Sequence, residues 1–409
     1  MSKWLKLAMG TLLVCCMTAA VYGCAGGTDE ENNNTNTGIV FETTTEADVN
    51  VLKGEGTDLA VTVKEDGQAV TEGVTWTSSD PAVATVADGT VTGVAHGEAT
   101  VTVAYGGEEK EFAVTVYDVF VDSEEDWISV YDYEGESQGN WYLLTADITL
   151  TKPSIMYNDA QHEFTPVFTG RVNGDGHKIT YSESRLFANV KEGAVIENLV
   201  LDANTGFYWG SALCWELNAS TVRNIQIDAE HVYDIQYVVA EGVGWIQAAN
   251  IGGVIYYAAN GSVVENVTGT VDFSSLTNIS SKFGAVVGLA ENSTIKDCSV
   301  TVYKPEGVIN TIRPVASNTD SEEINCTATN ETVALGEYTY EYYIQDGDGW
   351  VKSEENSGTK EGPVGHTVIL PQIAIEGYTF DADNENNVMS AIVKEDGTTV
   401  LKAYYTKNA

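Results

Sequence analysis

Apolar and polar residues alternate with a period of two along most of this 409-residue chain. Runs such as Leu59-Ala-Val-Thr-Val63, Ala99-Thr-Val-Thr-Val103 and Phe112-Ala-Val-Thr-Val116 put every second side chain on one face, the pattern of half-buried strands. Asp66-Gly67, Asp88-Gly89 and Gly106-Gly107 punctuate these runs with residues that tolerate the positive φ of tight hairpin turns. Residues 39–118 are therefore predicted to form an antiparallel β-sandwich. His96 is expected to be a solvated turn residue.

Between Trp127 and Val333 the alternation is organised by an internal repeat. Val195-Ile-Glu-Asn-Leu-Val-Leu201, Thr221-Val-Arg-Asn-Ile-Gln-Ile227, Val263-Val-Glu-Asn-Val-Thr-Gly269 and Thr294-Ile-Lys-Asp-Cys-Ser-Val300 align without gaps, and Glu323-Ile-Asn-Cys-Thr-Ala328 is a degraded fifth copy. The shared polar position, Asn198, Asn224, Asn266, Asp297 and Asn325, recurs after 26, 42, 31 and 28 residues. Eleven residues before its first four copies stand Phe187, Leu213, Ile255 and Val286, so two strands recur at a fixed offset. One such coil cannot bury its apolar face alone, whereas stacked coils share a continuous core. The pattern thus predicts a parallel β-helix over residues 119–335, its Asn corners joined in an amide ladder. Glu197, Arg223, Glu265 and Lys296 occupy one aligned place and are expected to form alternating ion pairs along an exposed face.

The third segment, residues 336–409, is a small β-rich module with strands in Tyr338-Thr-Tyr-Glu-Tyr-Tyr-Ile344 and Gly397-Thr-Thr-Val-Leu-Lys-Ala-Tyr-Tyr405. Asp381, Asp383 and Glu385 have the odd spacing of a calcium loop. Asn386 stands where its glycine belongs and Ile392 where its last glutamate belongs, so no EF-hand is expected.

At the other end, Lys3 and Lys6 precede an apolar stretch from Leu7 to Val21, short and ending in small residues, which predicts a signal peptide over residues 1–23. Val21-Tyr22-Gly23-Cys24 resembles the lipobox of bacterial lipoproteins, with Tyr22 in place of a small residue. The resemblance implies a diacylglyceryl thioether on Cys24, and two acyl chains suffice for stable anchoring. Residues 24–38 are polar and are expected to be a flexible tether.

Three further resemblances attach to these segments. Val74-Thr-Trp-Thr-Ser-Ser-Asp-Pro-Ala-Val-Ala-Thr-Val86 and Gly89-Thr-Val-Thr-Gly-Val-Ala-His-Gly-Glu-Ala-Thr-Val-Thr-Val103 resemble the group 2 bacterial Ig-like (BIG2) family, whose modules act as spacers or adhesion units on surface proteins. That resemblance implies Trp76 as the core aromatic of a central strand, with Gly93 and Gly97 supplying backbone freedom at turns. Trp141-Tyr-Leu-Leu-Thr-Ala-Asp-Ile-Thr-Leu150 and Phe168-Thr-Gly-Arg-Val-Asn-Gly-Asp-Gly-His-Lys-Ile179 resemble the opening of β-helical surface proteins with the Gly-Leu-Gly type (GLUG) repeat, Asn173 replacing an Asp. Ile375-Glu-Gly-Tyr-Thr-Phe380 and the last strand resemble the mucin-binding and Listeria–Bacteroides repeats of cell-surface proteins. Together they imply an all-β chain: an Ig-like β-sandwich, a right-handed parallel β-helix, then a small β-rich C-terminal module.

Charge narrows the function. Sixty Asp+Glu against 20 Lys+Arg give a net charge of −40, spread over all three segments. Such a chain repels phosphate backbones and anionic headgroups, so nucleic acid is excluded as a partner and the membrane is reached through the lipid at Cys24 alone. Cys15 and Cys16 leave with the signal. Cys214, Cys298 and Cys326 then remain, an odd number without metal-ligand spacing, and are read as buried apolar thiols without redox chemistry.

Polysaccharide lyases and glycosidases also use the β-helix, yet only Arg171, Arg185, Arg223 and Arg313 are available there, with no acidic cluster beside them in the coil alignment. The Gly174-Asp-Gly-His177 corner reads as a tight turn. The chain is therefore expected to be a non-enzymatic monomer without cofactor, metal or catalytic residues, exported and lipid-anchored to the bacterial membrane facing outside the cytoplasm, binding a glycan or extracellular protein. A carbohydrate-active enzyme and a passive stalk are the alternatives. Candidate ligand-binding residues are Trp209, Trp215, Tyr233, Tyr237, Trp245, Tyr256 and Tyr257, around an insertion at residues 228–250. Their rings either pack in the core or stand exposed for stacking on a sugar or packing on a protein.

Overall fold

The computed structural model describes residues 38–408 other than 132–138, 152–155, 159–162, 166, 183–184, 205–210, 228–249, 274–281, 306–310, 348 and 371. Among the described residues the regular elements are nearly all β-strands, beside one short α-helix and one 3-10 turn. Cys24, the signal segment, Trp209, Tyr233, Tyr237 and Trp245 lie outside them. Among the described residues no helix is long and apolar enough to cross a membrane.

The first unit packs a four-stranded sheet, ordered Asp48–Leu52, Glu108–Tyr117, Gly97–Tyr105, Thr75–Ser78, against two three-stranded sheets. The alternating runs supply its core: Leu59, Val91, Val101, Val103, Phe112, Val114 and Val116 are buried together. Asp66-Gly67 and Asp88-Gly89 have positive φ at both residues, as two-residue hairpin turns require. Two expectations change here. Trp76 lies in the strand at the end of the sheet order and is half-buried, not central. Gly93 sits inside a strand with ordinary φ, where an added Cβ would meet Val116 at 2.9 Å and the Leu52 carbonyl at 3.0 Å; it permits close approach, not a turn.

Among the described residues, 119–333 form two parallel sheets of twelve and seven strands, beside one antiparallel pair, Met156–Asn158 with Glu163–Thr165. Each repeat contributes a strand to the smaller sheet, a short corner, then a strand to the larger one. The strands Phe187–Lys191, Cys214–Asn218, Ile255–Ala259, Lys282–Glu291 and Arg313–Thr319 succeed one another in one sheet. Val195–Asn204, Thr221–Ile227, Val263–Asp272 and Thr294–Lys296 succeed one another in the other. Between the sheets one core holds Phe187, Ile196, Leu199, Leu213, Val222, Ile225, Val264, Val267 and Ile295. The expected offset of eleven holds for Phe187 and Ile255, but their registered neighbours are Cys214 and Val287, one residue later than predicted. The corners at 219–220 and 292–293 are one residue shorter than those at 192–194 and 260–262.

The polar corners do what their spacing implied. Asn198, Asn224, Asn266, Asp297 and Asn325 all have φ between 52° and 55°, a left-handed conformation that Asn and Asp tolerate. Their amides run in one direction: Asn198 donates to Asn173 at 2.9 Å, Asn224 to Asn198 at 2.8 Å, Asn266 to Asn224 at 2.9 Å and Asn325 to Asp297 at 3.1 Å. Asp297 accepts but, as a carboxylate, cannot donate to Asn266, so the ladder breaks there. Replacing Asp297 with Asn is expected to complete it, adding about 0.5–1.5 kcal/mol and raising the Tm by a few degrees in a calorimeter; an unchanged or lower Tm would refute the ladder's directionality.

A second ladder went unpredicted. Ser220, Ser262, Ser293 and Ser321 occupy the other corner; the Ser220 N–H donates to Ser262 Oγ at 3.4 Å and the Ser293 N–H to Ser321 Oγ at 3.0 Å. Each stands four residues before an aligned Asn or Asp, so the signal was in the repeat.

The stack is covered at its first end by a short helix, Glu124–Ile128. Ser123 caps it, and Trp127 is buried edge-on to Phe187 at 6.0 Å. Beyond its last repeat, Ala334 alone separates Thr327–Val333 from Leu335–Asp346, the longest strand of a mixed five-stranded sheet. That sheet buries Tyr338, Tyr342, Leu401, Ala403 and Tyr405. The module also touches the stack: His366 Nδ1 lies 2.8 Å from the fully buried Asp272 carboxylate, and its ring meets Tyr303 edge-on at 4.6 Å. The Asp272 hydrogen bond raises the His366 pKa against the opposing effect of burial.

Candidate functional site

Three of the predicted ligand residues are described, and the strand register brings them together. Trp215 and Tyr256 stand opposite each other on neighbouring strands, because Cys214 pairs with Ile255 and Glu216 with Tyr257. Their rings stack at 3.8 Å with 9° between planes. The Arg185 guanidinium lies over Trp215, 5.0 Å from the ring centroid. Arg185 is 3% exposed, and burial pulls its pKa down to about 10, so it remains charged at neutral pH. Arg185, Trp215 and Tyr256 thus form a column climbing the stack, a cation held by a ring quadrupole and then a second ring.

These rings are half-buried and none belongs to the hydrophobic core cluster. They therefore match neither of the two arrangements expected from sequence. They are not core residues, and both faces of Trp215 are occupied within the column. Tyr256 differs. Ile255 pairs with Val287 and Tyr257 with Leu289, so the following repeat sets Gly288, which has no side chain to stack, against Tyr256. Beside it the Tyr257 hydroxyl donates to Glu291 at 2.6 Å, which lifts its pKa to about 12 and keeps it neutral.

Of the aligned charges, Glu197 and Arg223 lie at the joint between the first unit and the stack, and Glu265 and Lys296 further along the stack. Glu197 accepts from Arg171 Nε and from Arg223 Nε, each at 2.6 Å, and Lys296 pairs with Glu265 at 3.1 Å. Glu197 is only 2% exposed, so this is a buried clamp and not the exposed pair expected. Arg171 also reaches Glu98 of the first unit at 2.6 Å. Burial works against the charge on Arg171, but Glu98 and Glu197 outweigh it and its pKa is raised.

Asp118 completes the joint. Its carboxylate accepts from Lys53 at 3.1 Å and from the Trp141 N–H at 2.9 Å, and lies 2.6 Å from His96 Nδ1. His96, expected as a solvated turn residue, is instead held by this carboxylate and stacked on Trp141 at 5.5 Å. A cleft of about 270 Å3 opens here, lined by Glu98, Trp141, Arg171 and Arg223 among others. Its guanidiniums are engaged by Glu98 and Glu197, and its indole by His96 and Arg171, 4.8 Å away, so the cleft is a consequence of the joint.

His177, in the tight-turn corner, lies 3.2 Å from Asp147, and Asp175 and Gly176 there have positive φ. Among the described residues no group of three or more His, Cys, Asp or Glu side chains is arranged to hold a metal ion.

Comparison with known proteins identifies the first unit. Residues 41–116 match the family model of the bacterial Ig-like domain (group 2) and form such a domain. A segment of 69 residues is 49% identical to an alpha-L-arabinofuranosidase of Bifidobacterium longum subsp. longum; it makes up 16% of this chain and 6% of that enzyme. The chain thus spans a small fraction of that relative's length.

Proposed function

We propose that the chain is a non-enzymatic surface protein, anchored by lipid at Cys24, whose residues 119–335 form a parallel β-helix that displays a glycan-binding site centred on Tyr256. The observation that carries the binding reading is the end of the aromatic column: Tyr256 is braced by Trp215 on one face, and among the described residues the next repeat sets Gly288, without a side chain, against the other. A braced ring with no described ring stacked on its other face suits the apolar face of a sugar, and the neutral Tyr257 hydroxyl with Glu291 beside it suits the sugar's hydroxyls. The bacterial Ig-like domain supports a surface or adhesion role. The unbroken passage from Tyr117 through Asp118 to Val119, without a flexible linker, supports a stiff mount for the site. The arabinofuranosidase match is too short to bring that enzyme's activity with it.

Full-length protein applied to an array of neutral and acidic glycans and extracellular proteins tests this. Binding to at least one glycan is expected, with Tyr256→Ala weakening it at least about tenfold, as loss of a stacked ring does. Binding that survives Tyr256→Ala would remove the site but keep the surface reading. Inertness on the whole array would leave the passive stalk, and cleavage of an arrayed glycan would restore the enzyme alternative.

A further inference from the structure

We propose that Cys298 and Cys326 are a disulfide-forming pair that staples the last repeat of the parallel stack to the one before it. The register carries the inference. Lys296 pairs with Ile324 just before the two cysteines and Ser299 with Thr327 just after, both in parallel, so Cys298 and Cys326 stand opposite each other on adjacent strands. Neighbouring strands lie about 4.8 Å apart, inside the Cα separation that disulfides span, and a small lean of the two side chains completes the approach. Cys298 is fully buried in the core and Cys326 packs against that core from a half-buried position. The Cys326 sulfur reaches across to the Ile295 carbonyl of the neighbouring repeat, 3.4 Å away, and the Cys298 thiol donates to the Lys296 carbonyl at 3.3 Å beside it.

Their environments assign them different roles. Cys298 is buried and Cys326 half-buried, so Cys326 is the thiol nearer to solvent and Cys298 the protected one behind it. The neighbouring Cys298 thiol, opposed by burial, lowers the Cys326 pKa, which favours Cys326 as the attacking thiolate. With a low-molecular-weight disulfide as oxidant, the Cys326 thiolate attacks one sulfur, forms a mixed disulfide and expels one thiolate. Cys298 then loses its proton to solvent and attacks the Cys326 sulfur, expelling the second thiolate. Two protein thiols become one disulfide and the oxidant becomes two thiols, so electrons and protons balance. Cys214 is fully buried and its pKa is raised by burial, which makes it the internal control.

The staple would act where the stack is weakest. The strand Glu322–Ile324 has all three residues exposed, and terminal repeats of a stack are supported from one side only. The chemistry stands apart from the glycan-binding proposal and can fail or succeed without it.

Full-length protein is incubated with oxidised glutathione, alkylated with iodoacetamide and peptide-mapped. Cys298 and Cys326 are expected to lose alkylation together and to appear in one linked peptide pair, with Cys214 still reduced. The Tm should exceed that of the dithiothreitol-treated protein by about 5–10 °C. Cys298→Ala should trap glutathione on Cys326. Cys326→Ser, at the half-exposed position, should leave Cys298 reduced and unmodified, and it keeps the test open if Cys298→Ala does not fold. Alkylation of both cysteines after oxidation, stable glutathione on Cys326 of the unaltered protein, or a link from Cys326 to Cys214 or to a second chain would each overturn the proposal.

Discussion

Glu197→Ala is expected to destabilise the protein by about 3 kcal/mol, lowering the Tm by roughly 6–12 °C in a calorimeter. Glu197 is 2% exposed and holds two guanidiniums, Arg171 from the preceding repeat and Arg223 from the following one. Its removal leaves both cations facing each other across an emptied site. Arg223, whose side chain is 44% exposed, can swing out and rehydrate. Arg171, at 14%, keeps Glu98 as its carboxylate and Trp141 as its ring contact. The loss therefore falls near the lower end of the range for breaking a buried pair. Adding Arg171→Met to Glu197→Ala should recover part of the loss, because a buried charge without its partner costs more than an apolar side chain of similar size. A Tm within a degree of the parent would show that the clamp is solvated in solution and no more than an ordinary surface pair.

That outcome bears on what could be read from the sequence. Strand-level alternation was fully legible: the runs around Val63, Val103 and Val116 became core-facing strands, and the Asn repeat became a hydrogen-bonded ladder. Those features depend on local period and local turn chemistry, which a single chain displays directly. The charge alignment was also legible, since Glu197 and Arg223 do face each other. Its burial was not, because that depends on Arg171 and on the first unit lying against the same place, a relation between segments that have no common period. His96 misled for the same reason. Nothing in Val94-Ala-His-Gly97 reveals that Asp118 and Trp141 close over it.

The candidate sites divide along the same line. Trp215 and Tyr256 were singled out as aromatics, but their mutual stacking follows from a one-residue shortening of the corner at 219–220, which moves Cys214 instead of Leu213 into register with Phe187. The cysteine pair was within reach of the alignment. Asp297-Cys298 and Asn325-Cys326 are the same two positions of successive repeats, yet counting three cysteines as an odd number hid that two of them are neighbours. In a stacked repeat, residues 28 positions apart touch when they occupy equivalent places, so a cysteine count carries less information than cysteine phase.

The second large effect is expected at Asp118. Asp118→Ala should cost about 2–3 kcal/mol at the joint and split the melting of the bacterial Ig-like domain from that of the stack, since the carboxylate joins Lys53 and His96 of the first to the Trp141 backbone of the second. Asp118→Asn retains an acceptor for the Trp141 N–H but lacks the charge that holds Lys53, and should fall between. Burial alone would raise the Asp118 pKa, but the Trp141 N–H, Lys53 and His96 outweigh it and hold the carboxyl below its usual range. A carboxyl depressed in the folded state contributes stability that is present above its unfolded pKa, about 3.9, and is lost as pH falls through the folded value. The joint should therefore be at full strength from neutral pH down to about pH 4 and loosen below it. Small-angle scattering of the unaltered protein across that range, beside Asp118→Ala at neutral pH, checks both halves of the expectation. A distribution of interdomain distances that broadens on acidification, and is already broad in the variant, is the expected result. An unchanged distribution in both would mean that Arg171–Glu98 and the Asn173 amide on Tyr117 hold the units together without the carboxylate.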